Sequence, residues 1–88
     1  MTFHGSVLRG NQVVVANVDG DYDVTTNSPG SVLGWSGSFV LPVGARIPST
    51  VEQYTLALDD GRSGSFIISR VYTMYPIVVE FRGTGPPP

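Results

Sequence analysis

No ten-residue window of this chain repeats its apolar residues at a helical spacing. Glycine or proline breaks the sequence at short intervals and makes up about a fifth of its 88 residues. Such punctuation leaves short strands joined by turns as the available structure. Residues Thr50–Asp60 come nearest to a helical pattern, and alternation describes them better. The fold class expected is all-β: six or seven short antiparallel strands in a small barrel or sandwich.

The strands can be placed. Phe3–Leu8 is followed by a turn at Arg9-Gly10-Asn11 and by Gln12–Val18, with its Val13-Val14-Val15 centre. Asp19-Gly20 has the form of a hairpin turn leading into Tyr22–Thr26, and Asn27-Ser28-Pro29-Gly30 reads as a second turn. In Val32–Leu41 one face holds Leu33, Trp35, Phe39 and Leu41. Gly37 interrupts that face, as a bend in a tightly curved sheet requires. Pro42–Thr50 is a connecting loop, and Glu52–Leu58, Ser65–Tyr72 and Ile77–Arg82 complete the set. The expected division is one β domain over residues 1–82 and a Gly/Pro-rich C-terminal tail over 83–88, loose or lying against a neighbour as polyproline II.

The Glu52–Arg70 segment fixes a register. A two-residue Asp60-Gly61 turn sets Thr55 opposite Phe66 and Gln53 opposite Ile68, mixing polar and apolar partners on both faces. A shift of one residue repairs this. An Asp60-Gly61-Arg62 loop pairs Leu56 with Phe66 and Glu52 with Arg70. An Asp59-Asp60-Gly61 loop, with Gly61 left-handed, pairs Tyr54 with Phe66. Either odd-length loop puts Tyr54, Leu56, Leu58, Phe66 and Ile68 on one buried face. Gln53, Thr55, Ala57, Ile67, Ser69 and Val71 fall on the other. The last strand places Ile77, Val79 and Phe81 on one side and Val78, Glu80 and Arg82 on the other, where a charged pair can form.

Composition narrows the function. Cysteine is absent and His4 is the single histidine, so neither a disulfide nor a Cys/His zinc site can reinforce a core this small. Charged residues are 14%, well below the roughly 25% of a typical soluble domain. A shared interface is one way to cover a surface so short of charge. The net charge of −2, with five arginines and no lysine, argues against general nucleic-acid binding. No apolar run is long enough for a membrane helix and no secretory leader is visible, so the expected location is cytoplasmic with no membrane partner.

The motifs are modest. Asp19-Gly20-Asp21-Tyr22-Asp23 resembles the opening of a calcium loop, yet Val24 and Gly30 stand where that loop needs Gly and Glu, so an acidic turn is the better reading. Gly61-Arg62-Ser63-Gly64-Ser65 could present backbone N–H groups to an anion, with Arg62, Arg70 and Arg46 as cations, but lacks the P-loop lysine. Trp35, Phe39 and Tyr54 belong to apolar faces, whereas Tyr72 and Tyr75 flank a polar turn and are the candidates for exposed aromatics. His4 alternates outward beside Phe3. As a general base it would need a serine nucleophile and an orienting carboxylate. No cofactor and no catalysis are expected. The function expected is a non-catalytic binding or assembly module, joining a protein partner or forming a homo-oligomer through strand edges or an apolar face. The alternative is capture of a small anionic ligand such as a nucleotide by Arg62, Arg70 and Arg82 with Tyr72 or Tyr75.

Overall fold

A computed structural model describes residues 1–28 and 31–88, with side chains outside 27–33. The turn expected at Asn27–Gly30 and the face of Leu33 lie outside the described residues. Six strands form a closed antiparallel barrel: β1 (Thr2–Arg9), β2 (Gln12–Ser28), β3 (Ser31–Val40), β4 (Gln53–Leu58), β5 (Ser63–Tyr72) and β6 (Val78–Gly83), in the order β1-β2-β3-β6-β5-β4. Closure gives each strand two neighbours, which removes most of the unpaired edge an open sheet would expose.

The Asp19-Gly20 turn is corrected. β2 runs straight through it, and Gly20 is the place where β2 passes from one partner to the other, opposite both Phe3 of β1 and Phe39 of β3. A Cβ there would lie 2.1 Å from the Ser38 carbonyl oxygen and 2.7 Å from the Phe3 ring. The glycine answers a close approach between strands, and the local Asp-Gly signal is overridden. Gly37 plays the same part from β3, since its Cβ would meet the Asp21 carbonyl oxygen at 2.1 Å.

β4 and β5 pair with Tyr54 opposite Phe66 and Leu56 opposite Gly64, so the loop is the three-residue Asp59-Asp60-Gly61 with Gly61 at φ 93°. The odd length holds, and the Asp60-Gly61-Arg62 version does not. Leu58 N donates to the Arg62 carbonyl at 2.8 Å and closes the hairpin. Tyr54, Leu56, Leu58, Phe66 and Ile68 are all buried. They join Trp35, Phe39, Val79 and Phe81 in one core, where the Phe81 ring lies 5.0 Å from Phe66, 5.6 Å from Trp35 and 5.9 Å from Phe39. Tilted and edge-on rings at such spacings add to the burial term.

Bulges along the β1–β2 and β5–β6 pairings reset the alternation. Between Gly5–Val18 and Val7–Val15, β2 carries one residue more than β1, and Asn17 adopts φ 59°, a left-handed conformation asparagine tolerates. The step from Val7–Val15 to Leu8–Val13 adds Val14, and both Val13 and Val14 are exposed. In β5, Ser69 is the extra residue between Ile68–Phe81 and Arg70–Glu80. That bulge turns Val71 onto the core, correcting its expected place on the outer face.

Candidate functional site

The barrel has two ends. At one end β1, β3 and β5 finish and β2, β4 and β6 begin; it carries the turn after β1, the loop 41–52 and the turn 73–77. At this end lie nine of the ten large apolar side chains exposed among the described residues, Met1 being the tenth.

They form two patches. The first is a rung across β3, β6 and β5: Val40 pairs with Val78, and Val78 with Tyr72. Met74 and Tyr75 stand out from the next turn at 85% and 73% exposed. The rung is flanked by charge. Arg70 lies opposite Glu80, its guanidinium is 5.8 Å from the centre of the Tyr72 ring, and the Tyr72 hydroxyl donates to Glu80 at 3.2 Å. Tyr72 therefore sits between a cation and an anion that both face solvent.

The second patch is an open groove of about 360 Å³, lined among others by Val13, Val14, Arg46, Ile47 and Tyr54. The Tyr54 hydroxyl donates to the Ser49 carbonyl at 2.7 Å and ties the loop to the barrel wall. Arg9 Nη1 donates to both carboxylate oxygens of Glu52, at 2.9 and 3.2 Å. The Glu52–Arg70 pair of the Asp60-Gly61-Arg62 loop does not form: Glu52 pairs with Arg9, and Arg70 lies opposite Glu80, because the observed register places Gln53 opposite Ile67. Val43 and Val51, 84% and 89% exposed, lie on the same loop.

The residues expected to form an anion site are dispersed. Arg62 is at the far end of β5, clamped to Asp60 at 2.8 Å. Its backbone N–H also donates to Asp60 at 3.0 Å, and this bond first, then the guanidinium, holds the Asp60 carboxyl below its ordinary value. Arg82 points out from β6 opposite Ser36, and Arg46 is in the groove. Arg70, Tyr72 and Tyr75 alone share a region. The Gly61–Ser65 stretch is no anion loop either: Ser63 onward is strand, and Gly64 is buried. Arg9, Val13, Val14 and Ile47 are the surface residues that sequence reasoning missed; the bulge at Val14 and the fold of a long loop carry no local signature.

His4 is outward-facing, as expected. Its Nδ1 donates to the Asp59 carboxylate, and its Nε2 lies 3.9 Å from Asp19. The bond to Asp59 leads in raising its pKa above 6.5. Thr2, Leu58, Asp60 and Arg62 border the same depression, which holds no serine. Asp19, Asp21 and Asp23 project from a continuous strand, and Asp21 pairs with the Met1 amino group at 2.7 Å. No group of three metal-ligating side chains converges among the described residues, and they contain no helix long and apolar enough to cross a membrane. The chain matches no protein-family model, no curated protein and no solved structure.

Proposed function

We propose that this chain is a non-catalytic assembly module that joins a second copy of itself through the apolar end of its barrel. The gathering of nine exposed apolar side chains at that end supports the reading most strongly. Aromatic and methionine side chains such as Tyr72, Tyr75 and Met74 are the types enriched in interface cores. The occupant follows from charge. Arg70 and Glu80 flank the Val40–Val78–Tyr72 rung with both signs, so a two-fold axis through the rung sets the arginine of one copy against the glutamate of the other. A barrel with few free edges favours this face over strand pairing.

Sedimentation velocity across a concentration series tests it. A dimer is expected, and Met74→Ser with Tyr75→Ser, both exposed and outside the core, should return it to monomer. A wild-type monomer at about millimolar protein, where even a weak specific interface is populated, would overturn the reading.

Capture of a small anion is the lesser reading. Arg62 is already clamped to Asp60, so an anion would have to displace a carboxylate there, and at Arg70 it would meet the Glu80 carboxylate that accepts from the neighbouring Tyr72 hydroxyl. Native mass spectrometry that finds a co-purified nucleotide would reverse this order.

A further inference from the structure

The opposite end of the barrel is closed by residues 84–88. Trp35 is 2% exposed, and its indole N–H donates to the Gly85 carbonyl at 2.9 Å. Thr84 N donates to the Ser65 carbonyl at 2.9 Å. The seat is shaped by two glycines. A Cβ on Gly83 would lie 2.0 Å from Trp35 Nε1. One on Gly64 would lie 2.7 Å from Trp35 Cζ2 and 3.1 Å from Pro88 Cδ, so the indole edge and the proline meet above a bare shelf.

We propose that this mouth is a recognition site for a glycine- and proline-rich segment of another polypeptide, filled in the isolated chain by its own residues 84–88. The site has the parts that this recognition uses: an aromatic wall, a fixed N–H donor aimed at a main-chain carbonyl, and a floor free of side chains. Proline suits it because its φ is already set, so a bound Pro-Pro-Pro run loses little conformational entropy. The seated segment shows the chemistry that fits. Beyond Gly83, which is fixed opposite Phe66 in β6, its hold is light: the bonds from Thr84 N and to Gly85 O, and the contact of Pro88 over Gly64. Gly85 gives it a pivot on which to leave. In cis it competes at an effective concentration of order millimolar, which masks the site from weaker ligands. This inference concerns the other end of the barrel and does not depend on self-association.

Trp35 is the single tryptophan, so its fluorescence reports the indole on which the segment sits. The triple variant Pro86→Ser, Pro87→Ser, Pro88→Ser should unmask the site. Adding the peptide Gly-Thr-Gly-Pro-Pro-Pro should then give a saturable emission change, with an apparent affinity at least about tenfold above that of the unaltered chain. The peptide with serines in place of its prolines should give none. A folded variant that does not respond to several millimolar proline peptide, about the effective concentration of the tethered segment, would overturn the proposal. Hydrogen exchange in the unaltered chain serves if the variant fails to fold. Release of the segment requires the Trp35 indole N–H to exchange at least about tenfold faster than the Phe39 and Phe66 amides. Exchange only together with those core amides would mean the segment never leaves, and the site would not exist.

Discussion

Gly20→Ala is the substitution that most sharply tests the packing of the barrel. The new methyl would lie 2.1 Å from the Ser38 carbonyl oxygen and 2.7 Å from the Phe3 ring, against ordinary contact of 3.4–4 Å. The ring can turn aside. The carbonyl belongs to the β2–β3 ladder and cannot move without opening the Gly20–Phe39 pairing. Overpacking of this kind costs about 1–3 kcal/mol, and a lost ladder bond adds about 1. The stiffer unfolded chain returns about 0.4–1 kcal/mol. The net loss is about 1–3.5 kcal/mol, which lowers Tm by roughly 5–25 °C in a chain of this size. Thermal unfolding followed by circular dichroism reads this directly. Gly34→Ala is the matched control: nothing lies within 4 Å of that Cβ, so only the unfolded-chain term acts and the variant should be unchanged or up to about 1 kcal/mol more stable. Gly20→Asn should be at least as harmful as alanine, whereas a hairpin turn would accept asparagine. Gly20→Ala melting within a few degrees of Gly34→Ala would refute the close-approach account.

Two further outcomes follow from single contacts. Tyr54→Phe removes the bond to Ser49 and should cost about 1 kcal/mol by denaturant titration, with faster amide exchange confined to the loop 41–52. The His4 pKa is raised in the folded state, so its contribution is complete below pH 6.5 and is lost as pH rises through the higher folded value. The decline of Tm over that window should flatten in His4→Gln, while the acid limb, set by Asp21 and Asp60 whose pKa values are lowered, should persist.

Alternation carried much of the fold into the sequence. The β4–β5 register could be worked out because a one-residue slip would have put Gln53 and Thr55 on the core face, and the fold keeps Tyr54 and Phe66 there. β6 was legible for the same reason. The Asp19-Gly20 reading failed because a turn signal is local, while the need for a glycine at that point comes from Phe3 and Ser38 on two other strands. Bulges at Asn17, Val14 and Ser69 shift faces without changing composition, so Val71 was misplaced and the exposed valines went unseen. Tyr72 and Tyr75 were legible as surface aromatics from the polar turn between them. The placing of Arg70 opposite Glu80 and the pairing of Arg9 with Glu52 were not, because strand order decides which distant charges meet.

A dilution series of two-dimensional amide NMR spectra tests the apolar end most directly, since it reports which residues feel a second copy. On dilution, the changes should gather at Val40, Val43, Tyr72, Met74 and Tyr75, with Arg70 and Glu80 following and the Asp59–Arg62 loop silent. Spectra that do not change with concentration, or changes centred on Asp59–Arg62 and Trp35, would contradict an interface at that end of the barrel.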